Sequence, residues 1–181
     1  MIVWLASYPK SGNTWVRLFL NRLLYSDKNF DINNIQIGQF PRKFHFDGLV
    51  QDTNNLKETC MNYITAQDKI NLDNKIKFFK THSANWKVHN TSFTNLENTL
   101  GVIHIVRDPR NIITSVLNHF NKKNYTEALE FMNSSAQQIW NSKDKNEKFL
   151  TLISTWSNHY NSWKKFQKNN LLITYEKLVS E

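Results

Sequence analysis

Residues 2–15 read Ile2-Val3-Trp4-Leu5-Ala6-Ser7-Tyr8-Pro9-Lys10-Ser11-Gly12-Asn13-Thr14-Trp15, and the fold is decided in this stretch. Ile2–Ala6 is a short apolar run that stops at Pro9-Lys10-Ser11-Gly12, the pattern of a buried strand closed by turn residues. From Thr14 to Tyr25, Trp15, Val16, Leu18, Phe19, Leu20, Leu23 and Leu24 cover more than one helical face. That suits a helix packed against a sheet. Between the two, successive backbone N–H groups and a helix N-terminus make a site for a phosphate. Lys10 adds a mobile charge there, and Ser11 and Thr14 add hydroxyl donors. The G-x-x-x-x-G-K-[ST] spacing of a Walker A loop is absent, with Gly12 the only glycine in the stretch. Taken alone, the triplet Lys10-Ser11-Gly12 is equally an ordinary strand–helix turn with a cap.

Working outward, the same pattern recurs. Ile76-Lys77-Phe78-Phe79 ends at Lys80-Thr81-His82, and Val102-Ile103-His104-Ile105-Val106 ends at Arg107-Asp108-Pro109. Pro109 suits the first turn of a helix running through Ile112, Ile113, Val116, Leu117 and Phe120. Phe149, Leu152, Ile153, Trp156, Tyr160 and Trp163 keep helical spacing and predict one amphipathic helix. Leu171-Leu172-Ile173-Thr174 reads as a fourth strand. Residues 27–60 and 121–147 are polar and Asn-rich, and read as surface connections with a helix around Thr126–Trp140. Strands alternating with helices predict an α/β fold, a mostly parallel central sheet flanked by helices. Ligands of such sheets bind beyond the carboxyl ends of the strands, where Lys10-Ser11-Gly12, Lys80-Thr81-His82 and Arg107-Asp108 all stand.

Composition bounds the rest. The 181 residues, 40% hydrophobic and 21% charged, suit one globular domain, 1–181. The single cysteine, Cys60, excludes an intramolecular disulfide and any multi-cysteine metal site, and a reducing cytoplasm is the expected compartment. The longest apolar run, Met1–Ala6, is far short of the roughly 20 residues a membrane span needs. A formal charge of +8 favours an anionic partner, although the 25 asparagines fit a compositional bias as well.

Tyr8–Trp15 resembles the 5′-phosphosulfate loop of sulfotransferases that use 3′-phosphoadenosine 5′-phosphosulfate (PAPS). Arg107 with Ser115 eight residues on, Lys80-Thr81-His82, and the segment from Trp156 to Glu176 resemble three further signatures of that family, in the family's order. The resemblance runs over residues 2–178 and implies the P-loop NTPase-like sulfotransferase fold. Asn13 stands where many members have Thr. Members also continue well past this point to a closing Arg-Lys-Gly segment, which these residues do not contain, so a C-terminally truncated or short form is expected.

The resemblance implies sulfuryl transfer from PAPS, without a metal, to the hydroxyl or amine of a small-molecule, lipid or glycan acceptor. His82 is then the general base, Lys10 meets charge on the leaving phosphate, and Lys80 holds the transferred group. Lys10, Ser11, Gly12, Asn13, Thr14, Trp15, Arg107, Ser115 and Tyr175 bind the nucleotide, with Arg107 and Ser115 on its 3′-phosphate and Trp15 and Tyr175 on adenosine. Each residue also has a plainer reading. Lys80 is then a surface lysine, Arg107 pairs with Asp108, Trp15 belongs to the core, Tyr175 packs at a strand end, and Phe40, Phe44 and Phe46 pack under a long loop. His104 lies within a strand and reads as structural. Three other functions remain open at this point. A nucleotide kinase would bind nucleotide with Mg²⁺; a basic nucleic-acid module would show steep salt dependence, though no signature of one is present; a non-catalytic remnant would bind nucleotide without turnover. No nucleic acid and no membrane span are expected.

Overall fold

The computed structural model describes residues 1–25, 35–141 and 149–180. Its centre is β1 (Ile2–Ser7), which is buried on both faces. Alternation along the strand divides its side chains between two layers. Ile2, Trp4 and Ala6 point into a core with Phe40, Phe46, Tyr63, Phe93, Val102 and Trp163. Leu5 points the other way, against Val16, Ile37 and Ile105. α1 (Asn13–Tyr25) covers this second face through Val16 and Leu20.

Among the described residues the main sheet has the order β2-β3-β1-β6-β9, with β2 (Gly38–Gln39), β3 (Lys77–Thr81), β6 (Thr99–Val106) and β9 (Asn170–Thr174), and every neighbouring pair is parallel. The chain leaves β1 toward one edge, returns through β3, and then builds the other side through β6. The carboxyl end of β1 is therefore the point where the winding reverses, the place where open parallel sheets leave a crevice. The α/β, mostly parallel architecture expected from the sequence is the one observed.

The helices follow local signals. α4 (Pro109–His119) begins with Pro at its first turn, and the Asp108 carboxylate accepts from Arg110 N at 2.8 Å. Asn124 caps α5 (Tyr125–Asn133) by accepting from Glu127 N. α4 and α5 close a second apolar cluster with Tyr8, Ile112, Val116, Ala128, Phe131 and Ile153. Short α2 (Leu56–Met61) and α3 (Tyr63–Asn71) precede β3, and a small hairpin, β4 (Lys87–Val88) with β5 (Thr91–Ser92), precedes β6. Among the described residues no helix is long and apolar enough to cross a membrane.

Four expectations need correction. Phe149–Trp163 is not one helix: Leu150–Leu152 is β8, antiparallel to β7 (Gln138–Trp140), and only Trp156–Lys164 is helical, as α6. Ser154 at φ 59° ends the strand and Thr155 caps the helix by accepting from Asn158 N. Thr126–Trp140 divides likewise, because the helix stops at Asn133 and Gln138–Trp140 pairs with β8. The stretch 27–60 is not all surface; residues 27–34 lie outside the described residues, but Ile37, Phe40, Phe46 and Cys60 are core, with the Phe40 ring 5.5 Å from that of Trp4. The connection 121–147 is not all surface either: Ala128, Phe131 and Met132 are core, and residues 142–147 lie outside the described residues. Helix α7 (Tyr175–Ser180) starts directly at the end of β9.

Candidate functional site

The turn after β1 is shaped by two left-handed residues, Lys10 at φ 69° and Gly12 at φ 91°. Ser11 N donates to Tyr8 O at 3.3 Å, and Gly12 O accepts from Trp15 N at 3.0 Å to start α1. The N–H groups of Lys10, Gly12, Asn13 and Thr14 find no acceptor among the described residues. Alternating backbone handedness with unspent N–H groups forms a concave anion cradle, and the helix N-terminus behind it adds partial positive charge. Gly12 is required twice over. Its φ suits glycine, and a Cβ there would run into the Tyr175 ring, with Cε2 at 2.8 Å.

Arg107 leaves the end of β6 and stacks on Tyr175, its guanidinium carbon 4.4 Å from the ring centroid. Its Nη1 donates to Lys10 O at 3.2 Å, tying the cradle to the neighbouring strand. The Nε–H is buried without a partner among the described residues. Asp108 is engaged elsewhere, holding the Arg110 guanidinium through Nε at 3.0 Å. The pairing of Arg107 with Asp108 is thereby excluded. Glu176 at the start of α7 accepts from Asp108 N at 3.0 Å and fixes this corner.

His82 follows β3. Its Nδ1 lies 2.8 Å from Ser7 O and 3.3 Å from Ser7 Oγ. A carbonyl oxygen only accepts, so Nδ1 carries the proton and Nε2 keeps the lone pair. Burial, then the Lys80 ammonium, hold the imidazole well below its ordinary pKa, so it is neutral at pH 7. Lys80 is pushed down to about 8, first by burial and then by Arg17, Arg42 and Lys10. The other histidines of the interior are packing groups: His45, His104 and His159 are buried, with pKa values lowered by burial to about 4, about 4 and about 3.

These elements line a cleft of about 1100 Å³ at the carboxyl ends of the strands. Lys10, Gly12, Asn13, Thr14, Trp15, Lys80, His82, Arg107, Ser115 and Tyr175 all line it. Ser11 does not; it is fully buried beneath the loop, so its hydroxyl is not a donor into the cleft. Asn13 lines the cleft, but its side-chain nitrogen turns back to Leu5 O at 2.9 Å and Ser7 Oγ at 3.0 Å. Trp15 is 54% exposed and stacks on Phe19, which sets aside a core role. Phe40 and Phe46 are core and Phe44 is exposed; none lines the cleft.

Sequence reasoning missed one whole wall. Gln137, Gln138, Ile139 and Trp140 come from the β7–β8 hairpin, and His119, Phe120 and Lys122 from the end of α4. Gln39, at the end of the two-residue β2, completes the side by Lys80. Strands this short carry no periodic signal, and Gln138-Ile139-Trp140 shows no polar–apolar alternation. Among the described residues no Asp or Glu lines the cleft. Its field is that of Lys10, Lys80, Arg107 and Lys122, suited to a polyanion.

Comparison with known proteins agrees with this geometry. The sulfotransferase domain model matches residues 2–181. The structure is similar to a mouse sulfotransferase complexed with PAP, at TM-score 0.55 and 18% identity over 99% of this chain and 52% of that one. It is also similar to a retinol dehydratase in complex with androsterone and inactive cofactor PAP, at TM-score 0.52 and 17% identity over 99% of this chain and 55% of that one. At such identities the likeness concerns the fold, and the chain spans about half the length of either neighbour. The match over nearly all its residues places the chain in the sulfotransferase domain family.

Proposed function

We propose that the cleft binds PAPS and that the chain moves its sulfuryl group to an acceptor hydroxyl or amine. The observation that carries this reading is the convergence of an unspent N–H cradle, three lysines, a neutral histidine and an arginine on one cleft without a described carboxylate. The residues suit the donor. The cradle of residues 10–14 takes the 5′-phosphosulfate, and the orphaned Nε–H of Arg107, with Ser115 beside it on α4, takes the 3′-phosphate. Trp15 and Tyr175 offer ring faces to adenosine.

The bound donor supplies an activated sulfuryl group on a phosphate leaving group. His82 Nε2 takes the acceptor proton as the acceptor oxygen or nitrogen bonds to sulfur. The bond between sulfur and the bridging oxygen breaks, and its electron pair stays on the 5′-phosphate. Lys10 meets that new charge, and Lys80 holds the oxygens of the group in transit. In-line placement of the reactants and fixed cations therefore do most of the work, as in phosphoryl transfer. The test is PAPS turnover over a panel of phenols, alcohols and sugars. His82→Gln should lower turnover by about 100-fold or more, and turnover that survives the substitution intact would remove His82 from the reaction.

A further inference from the structure

We propose that the acceptor itself carries an anionic group (a carboxylate, phosphate or sulfate) and that Lys122 holds it; this rests on the sulfuryl-transfer reading of the cleft. Of the Lys and Arg side chains lining the cleft, Lys10, Lys80 and Arg107 have work on the donor, and Lys122 has none. It stands beyond the last turn of α4, whereas Ser115 lies in the middle of that helix. Local structure fixes where it points. Asn121 at φ 51° ends α4 in the left-handed conformation, and Lys122 N then donates to Leu117 O at 2.9 Å. That bond closes a Schellman turn. The chain comes back over α5, and the half-buried Lys122 side chain sets its ammonium 5.0 Å from the centroid of the Phe131 ring.

Among the described residues no acid balances this charge. The ion pairs Lys77–Asp73 and Arg110–Asp108 lie elsewhere. Glu127, in the first turn of α5, accepts from Lys123 N at 3.0 Å and makes no ion pair with Lys122. A ring face attracts an ammonium but takes none of its three donors in a charge-assisted bond. The wall faces the reacting atoms, since His119 at the end of α4 is close enough to act on the charge of His82. PAPS brings a polyanion into the cleft, so an anionic acceptor entering beside it is repelled. A cation on the acceptor wall offsets that repulsion, a help that a neutral acceptor does not need. Phe120, whose ring lies 4.6 Å from that of Phe131, and Ile139 add apolar surface to the same wall. The occupant that suits it has an apolar body, its reacting hydroxyl toward His82 and its anion toward Lys122.

The test compares isosteric pairs as acceptors for the full 181-residue chain at saturating PAPS: para-hydroxyphenylacetate against its amide, and glucuronate against glucuronamide. In at least one pair the carboxylate should have the lower KM, by about tenfold or more, the worth of a charge-assisted hydrogen bond. Lys122→Met keeps an unbranched side chain over Phe131 and should abolish that ratio through KM, whereas Lys122→Arg should keep it. The ratio isolates the contact, because a weaker field at the donor shifts both members of a pair alike. Where no member turns over, the same ratio is read as affinity for the chain saturated with adenosine 3′,5′-bisphosphate. Equal values within both pairs in the wild type, or a preference that survives Lys122→Met, would overturn the proposal. So would a loss in Lys122→Met that falls equally on both members and on PAPS, which would place Lys122 on the donor. A chain that binds neither PAPS nor the bisphosphate refutes the sulfuryl-transfer reading and this assignment with it; a wrong ratio in a chain that binds them refutes this assignment alone.

Discussion

Acidification should unfold this protein through its buried histidines. His45, His104 and His159 are buried, with pKa values lowered to about 4, about 4 and about 3 by loss of solvation. In the unfolded chain each returns to the ordinary value near 6.5. Between these values the unfolded state binds more protons, so stability is intact above pH 6.5 and falls as the pH drops toward 4. At pH 5 each group costs about 2 kcal/mol relative to pH 7, a figure set by the unfolded pKa because the folded values lie well below 5. Three such groups cost about 6 kcal/mol, much of the stability of an ordinary domain. Asp108, held at about 2 by Arg110, titrates too low to contribute in this window. Urea titrations followed by tryptophan fluorescence at pH 7, 6 and 5 measure the effect. His82, held well below its ordinary value by burial, adds a fourth such group, so His104→Asn should flatten the pH dependence by about one quarter. A midpoint that stays constant from pH 7 to pH 5 would refute the reasoning.

Other expectations follow from single contacts. Gly12→Ala forces a Cβ into the Tyr175 ring at φ 91°, so it should cost about 1–3 kcal/mol in denaturant titrations and weaken nucleotide binding. Phe93→Ala empties a site walled by Trp4, Phe40, Tyr63 and Trp163 and should cost about 3–5 kcal/mol by the same measurement. With Lys80 at about 8, its charge is lost as the pH rises through that value, so a pH–rate profile should fall on the alkaline side there. Lys80→Arg should move that limb upward, and an unmoved limb would assign it to another group.

Much of this was legible because the decisive residues repeat one local device. β1, β6 and β9 are short apolar runs, and each stops where a polar residue enters the cleft, so strand ends and candidate site were read together. What escaped depends on contacts distant in sequence. β2 is two residues long and is defined by its pairing with β3. Phe149 and Ile153 keep helical spacing with Trp156 although a strand and a left-handed Ser154 separate them, because both arrangements bury the same residues. Asn13 carries no mark of direction in the sequence, and the Leu5 carbonyl and Ser7 hydroxyl behind it turn its amide inward. The hairpin wall at Gln138–Trp140 has no motif, and its place is set by the packing of α4 and α5.

The measurement closest to the central claim is calorimetric titration with adenosine 3′,5′-bisphosphate, with and without Mg²⁺, beside adenosine 5′-phosphate, for the wild type and Arg107→Ala. The account predicts binding that needs no metal. It also predicts that Arg107→Ala costs the bisphosphate about 1.5–3 kcal/mol, the worth of a hydrogen bond to a charged group. The monophosphate should lose much less, keeping only the effect of the broken tie to Lys10 O. Equal losses for the two ligands, or binding that appears only with Mg²⁺, would contradict the assignment of this cleft to PAPS.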